Sequence, residues 1–487
     1  MPDGRTKTRQ RSGTNWRLVL RALRHRNYRL FYGGQGISLI GTWMTRVATG
    51  WLVYRLTHSA FLLGLVSFSG QIPILLLGAI AGVWVDRLDR HRVLVVTQIL
   101  SMLQSFALAA LALSGVITVL DIILLNLFQG GVNAFDMPAR QAFVVEMVEA
   151  REDLPNAIAL NSSLVNAARL VGPSVAGLLI AAVGEGYCFL FDGFSYMAVI
   201  ASLLAMTLVP WVPRVHAGVR SDLREGWDYI RGSRPIWSIL LLLSLISLVG
   251  MPYTALMPIF AGSILHGGAH TFGFLMGASG VGALIGAVTL AARRSVLGLG
   301  RLIAMTAAAF GASLVAFAAS RQLWLSLLLL VVTGFCFMQQ MASSNTVLQT
   351  IAEDEKRGRV MSFYSMAFQG VAPFGSLIAG VVATRVGAPH TLMLGGLHLH
   401  RRRGAVCLAV TRSEETRPPH LRPDGYCSGT RHWHKYRIGA AGATAGMSLR
   451  EKWELAGAAI PLHRQLFRLA LPTQARLRTR LCGWLLA

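Results

Sequence analysis

Three ionisable residues of this 487-residue chain lie deep inside long apolar runs. Arg46 falls within the run 30–54, Arg169 within 156–182 and Asp192 within 187–209. A charge at hydrocarbon depth is costly, so each is a functional candidate by default. At about 1.5 Å of rise per residue, Arg169, Asp192 and Arg46 come out roughly 20, 22 and 24 Å from one membrane face. Charges of mixed sign at one level suggest a midplane network able to bind an anionic or catechol-like group. Ser162, Asn166, Arg169 and Pro173 share a helix face by their spacing, as do Gln35, Ser38, Thr42 and Arg46. Such polar stripes line a cavity rather than face lipid. Asp192 is the expected protonatable group. Burial favours its neutral form and Arg169 the ionised form, so protonation would release the arginine. The plainer alternative is that the two residues only brace their helices. Gln339 and Gln340, beside Phe337, Met338 and Met341, give a mixed face that could meet a bulky ligand. Asp121 lies near the outer end of its run, where it could simply meet water, whereas Asp136 lies near the inner end beside Pro138 and Arg140 and suits a gate or cap.

The elements that must position these residues follow from composition. The chain is 53% hydrophobic and 14% charged, with a mean hydropathy of +0.51; an average soluble domain carries about 25% charged residues. It reads as an all-α integral membrane protein. Apolar runs of about 18 or more residues predict helices over 30–54, 60–83, 93–113, 117–138, 156–182, 187–209, 236–261, 272–292, 301–319, 322–345 and 361–386. A twelfth begins at Thr391 and fails at "HLHRRR". The first run is too long for a cleaved signal and follows a long basic leader. The net charge of +24 is not a nucleic-acid face, because Lys and Arg gather in alternate connections. That alternation predicts a cytoplasmic N-terminus. The five cysteines show no metal or disulfide spacing. No Walker-type loop is present to bind nucleotide, and no cofactor is expected.

An internal repeat divides the chain. "AGLLIAAVG" at 176–184 recurs as "AGVVATRVG" at 379–387. This predicts a basic cytoplasmic leader 1–29, an N-terminal six-helix bundle 30–209, a cytoplasmic linker 210–235 and a C-terminal bundle 236–397. The tail 398–487 differs in kind. It holds 16 Lys and Arg against 5 Asp and Glu, with six of the 13 His. It alternates with no helical or strand period, which suggests a reading-frame change that disrupts the twelfth helix, or else a divergent basic tail.

Between the second and third runs stands "GVWVDRLDRHR". Gly82, Asp86, Arg87 and Arg90 match the loop signature Gly-x-x-x-Asp-Arg-x-Gly-Arg-Arg, so the chain resembles the major facilitator superfamily. Asp89 stands where that signature has Gly, and His91 interrupts its last basic pair. The resemblance implies two pseudo-symmetric six-helix bundles, with this loop as a conformational latch in which Gly82 allows close packing. In helix 5, Gly172, Pro173 and Gly177 resemble a Gly-Pro motif of proton-driven exporters, for which kinking and packing are sufficient reasons. "RHRNYRLFYGGQGISLIGTWM", "NAFDMPARQAFVVEMV", "NAIALNSSLVNAARLVGP" and "SNTVLQTIAEDEKRGRVMSFYSMAF" resemble the branch typified by the bacterial enterobactin exporter, over about 17–397. That likeness implies a transporter rather than an enzyme. It would lie in the bacterial cytoplasmic membrane and export a siderophore- or drug-like molecule by alternating access, with protons as the coupled ion. An uptake carrier of the same fold, or an inactive product of an altered gene, are the alternatives.

Overall fold

The computed structural model describes residues 20–207, 227–293, 298–353 and 356–400, apart from the side chains of Ala79, Val83, Asp86 and Arg151. Most of the expected leader, most of the linker and the tail beyond residue 400 lie outside the described residues. Among the described residues the regular elements are helical. The long ones are α1 (Arg26–Thr57), α2 (Ala60–Arg87), α3 (Arg90–Leu113), α4 (Val119–Met147), α5 (Leu154–Val183) and α6 (Glu185–Leu204). There follow α7 (Arg234–Ile264), α8 (Ala269–Ala291), α9 (Leu299–Ala319), α10 (Leu323–Ile351) and α11 (Arg357–Val386). Ten of these are long and apolar enough to cross a membrane among the described residues. The exception is α1, whose 32 residues include Arg26, Arg29, Arg46 and Arg55.

Helix ends follow local chemistry. Asp89 caps α3, its carboxylate accepting from the amides of His91 and Arg92. Thr118 and Asp121 form a reciprocal capping box at the start of α4. The sequence repeat closes both its copies in the same way. α5 ends at Gly184 (φ 95°) and α11 at Gly387 (φ 84°), in a region open essentially to glycine alone.

The described residues form two compact units, one drawn from 20–207 and 255–280, the other from 227–254 and 281–400. In the first, α1 packs on α5 and α6, α3 on α6, and α4 on both α2 and α3. In the second, α9 packs closely on α10, and α11 meets the middle of α7. Between apolar helices there is little hydrophobic driving force, so close approach at small residues carries the packing. Gly172 of α5 meets Trp43 and Ile40 of α1; Gly375 of α11 meets the backbone of Leu248 on α7. The two crossings sit at corresponding places in the repeat. In α7 and α11 the α-helical pattern widens to π turns at Ile246–Gly250 and Met366–Gly370, joined by the Ser247 hydroxyl donating to Phe368 O. Residues 388–400 are helical, and Leu399 is fully buried. The described start of the tail, His398–His400, therefore continues the helix rather than breaking it.

Candidate functional site

Asp192 is buried, 2% exposed, where α1, α3 and α6 meet. Its Oδ2 accepts from Thr45 Oγ1 of α1 at 2.8 Å and from Ser105 Oγ of α3 at 3.0 Å. The Ser195 hydroxyl lies 3.5 Å from Oδ1 but donates at 2.7 Å to the backbone oxygen of Asp192. Gly41 admits the carboxylate: a Cβ there would stand 2.6 Å from Oδ1. A hydroxyl can donate or accept. Thr45 and Ser105 can therefore donate to a carboxylate, and either can turn to accept from a carboxylic acid.

Asp136 of α4 is equally buried but differently held. It pairs with Arg140 and accepts from Gln98 Nε2 at 2.8 Å and Thr97 Oγ1 at 3.0 Å. The guanidinium and the amide can only donate here, so this site suits a permanent carboxylate. Asp121 is spent on its capping box, with Thr118 N 2.9 Å from Oδ2.

Arg46 and Arg169 meet at an aromatic ring. The guanidinium of Arg46 lies 4.8 Å from the Trp43 ring centre and that of Arg169 lies 5.3 Å from it. Both distances are within cation–π range. Arg46 is exposed although it sits well inside α1. No ion pair involves Arg46 among the described residues.

The structure corrects the expected adjacency of Arg169 and Asp192. Gly41 and Thr45 face Asp192, whereas Trp43 faces Gly172 and Arg169. Residues two apart on a helix point in roughly opposite directions, about 200° apart at 3.6 residues per turn. α1 therefore stands between the arginine and the aspartate. Asn166 donates to Ser162 O of its own helix at 3.0 Å.

The helix 5 motif sits at crossings. A Cβ on Gly172 would lie 2.5 Å from Trp43 Cβ. Gly177 meets the backbone of Ala269 and Gly273 on α8, and Gly273 in turn meets Pro173 O. Gly277 and Gly280 continue this α8 face against Ser174, Arg169 and Leu170.

In the charged loop, Arg90 Nη1 donates to Glu146 Oε1 of α4 at 2.7 Å. Both departures from the signature have local work: Asp89 caps α3, and His91 Nε2 lies 2.9 Å from Leu203 O at the end of α6. Gly82 is a correction, since a Cβ there would meet no atom within 4 Å. Close packing is not its use in this structure. Arg87 is exposed, and the side chain of Asp86 lies outside the described residues.

Gln339 and Gln340 are buried rather than turned to an opening. Gln339 Nε2 donates to Thr289 of α8 at 2.7 Å; Gln340 Oε1 accepts from Thr306 of α9 at 3.2 Å. They brace α10 against its neighbours. Sequence reasoning passed over Trp43, Thr45, Ser105 and Glu146. A hydroxyl among apolar residues at the depth of Asp192 was the available signal for Thr45 and Ser105. Nothing along the chain pointed to Glu146.

Known proteins share this architecture. The nucleoside transporter NupG superimposes with a TM-score of 0.61 at 14% identity, covering 81% of this chain and 99% of its own; that likeness concerns the fold. The Staphyloferrin A transporter of Staphylococcus aureus is 27% identical over 75% of this chain and 92% of its own length. The Enterobactin exporter EntS of Shigella boydii is 28% identical over 56% of this chain and 66% of its own. The family described as transmembrane secretion effector matches residues 19–417, past the change of composition at 398. The chain is a multi-pass bacterial membrane transporter, not an enzyme, and belongs to that family within the major facilitator superfamily.

Proposed function

We propose that the chain exports an anionic, siderophore-like small molecule by alternating access, in exchange for protons, with its N-terminus in the cytoplasm. The observation that carries this reading is the setting of Asp192. A buried carboxyl held by reversible hydroxyl donors has hydrogen-bond partners in both protonation states, as a site that cycles a proton requires. Asp136, fixed by Arg140, lacks that freedom. Arg46 and Arg169 on Trp43 supply paired positive charge for a carboxylate or catecholate of the cargo. The direction is taken from the relative named as an exporter, and the cytoplasmic N-terminus from the basic connections. The glycine-lined contact of α5 with α8 would be a seal that parts on outward opening, and the Arg90–Glu146 region the latch at the opposite end.

The test uses inverted membrane vesicles with an imposed pH gradient and matched anionic and neutral siderophores. Anionic cargo should accumulate only with the gradient. Asp192→Asn should abolish that response while cargo still exchanges down its own gradient. Full gradient-driven transport in Asp192→Asn would remove this residue as the proton site.

A further inference from the structure

Away from Asp192 and the two arginines, α2, α3 and α4 enclose a groove of about 1250 Å³ along the first unit. α4 is its floor, because α4 packs against both α2 and α3 while those two scarcely touch. Consecutive glycines on α4 shape it. A Cβ on Gly130 would meet Gly70 O at 2.6 Å, so this residue closes the α2–α4 crossing. A Cβ on Gly131 would meet nothing within 4 Å, so the floor beside it stays clear. The walls are hydrocarbon: Leu76 and Leu77 from α2, Val96 and Leu100 from α3, with Phe128 on the floor. Leu76 is 66% exposed, Val96 53% and Phe128 45%, so the groove is open along its length.

One end is charged. Arg87, Arg92 and Asp89 line the groove where α2 gives way to α3. Arg92 Nε is 3.3 Å from Asp89 Oδ2, and the Arg92 side chain is 85% exposed. Among the described lining side chains two guanidiniums stand against one carboxylate, which leaves that end net positive. From Ile72 to Arg87, both lining residues, α2 rises about 22 Å. Half of a bilayer with its headgroups, 40–45 Å in all, is also about 21 Å.

We propose that this groove holds one phospholipid of net negative charge, its acyl chain along the floor and its phosphate on Arg87 and Arg92. Length, apolar walls and a single net positive end match a lipid of the leaflet at that end. A compact cargo molecule has no use for a trough that long and open. Its charged end shares the loop that the transport reading uses as a latch, but the lipid site does not rest on that reading.

The test reconstitutes the whole chain in phosphatidylcholine nanodiscs containing spin-labelled phosphatidylglycerol or spin-labelled phosphatidylcholine. Immobilised lipid per chain is counted. The wild type should hold one slowly exchanging phosphatidylglycerol. Gly131→Phe should fill the floor and release it. Arg92→Gln, at an exposed position that leaves folding intact, should weaken it about fivefold, the effect of one basic residue on an anionic lipid. Phosphatidylcholine held as tightly as phosphatidylglycerol would overturn the proposal. So would full retention in both variants, or displacement of the lipid by a transported siderophore, which would give the groove to the cargo.

Discussion

Two glycines that look alike in sequence should respond in opposite ways to alanine. At Gly172 the new Cβ would stand 2.5 Å from Trp43 Cβ and 3.1 Å from Ile40 O. Carbon atoms rest about 3.5–4.0 Å apart, so α5 must move off α1 by about 1 Å. The obstacles are a Cβ and a backbone carbonyl, which cannot swing aside, so the strain belongs near the top of the usual range of about 1–3 kcal/mol. Alanine recovers about 1 kcal/mol over glycine in a helix interior. The net loss is about 2 kcal/mol. At Gly82 nothing lies within 4 Å, so only the helical gain of about 1 kcal/mol remains. The two variants should differ by about 3 kcal/mol with opposite sign. Reversible unfolding in mixed micelles, followed by tryptophan fluorescence, measures both. Transport per folded molecule should fall in Gly172→Ala, because Trp43 carries the two arginines with it. A Gly172→Ala protein as stable as the wild type, or a Gly82→Ala protein destabilised to the same degree, would refute the packing argument.

Three further substitutions separate the charged groups. Asp192→Asn should fold to near-normal yield and lose the pH response of efflux, read from transport normalised to folded protein. Asp136→Asn strands Arg140, whose side chain is 23% exposed; stability should fall by about 3 kcal/mol, the lower end for breaking a buried pair, while the dependence of transport on the pH gradient per folded molecule stays as it was. The Arg90–Glu146 pair, with side chains 21% and 34% exposed, should show a coupling of at most about 1 kcal/mol in a double-mutant cycle. Arg90→Gln should nonetheless slow transport, and unchanged rates would reduce the loop to an anchor.

What the sequence made legible was axial. Hydropathy placed eleven helices, and the spacing of Arg46, Arg169 and Asp192 put them at one level. What it withheld was azimuth. Depth is counted along one helix, but the side a residue faces depends on which neighbour arrives there. Arg169 and Asp192 share a depth and are parted by α1. Glycine has the same limit: Gly41 admits a carboxylate, Gly172 a tryptophan, and Gly82 nothing. Asp89 and His91 read as flaws in a signature until the α3 amides and Leu203 O stand beside them. Gln339 and Gln340 read as ligand contacts until Thr289 and Thr306 take their amides.

The separation of Arg169 from Asp192 has a consequence for coupling. If the proton sits on Asp192 and the cargo at Trp43, α1 must carry the message, and it holds adjacent residues for both ends. Thr45 donates to Asp192 at 2.8 Å, while Arg46 lies over Trp43. Ser105 makes a similar bond to the same oxygen at 3.0 Å, but from α3. Thr45→Val and Ser105→Ala each remove one hydroxyl, at a comparable cost of about 1 kcal/mol. Only the first cuts the tie between Asp192 and the helix that bears Arg46. Measured as cargo moved per proton in vesicles, coupling should fall clearly in Thr45→Val and little in Ser105→Ala. Equal losses would mean that both hydroxyls merely tune the acid, and that the movement passes through some helix other than α1.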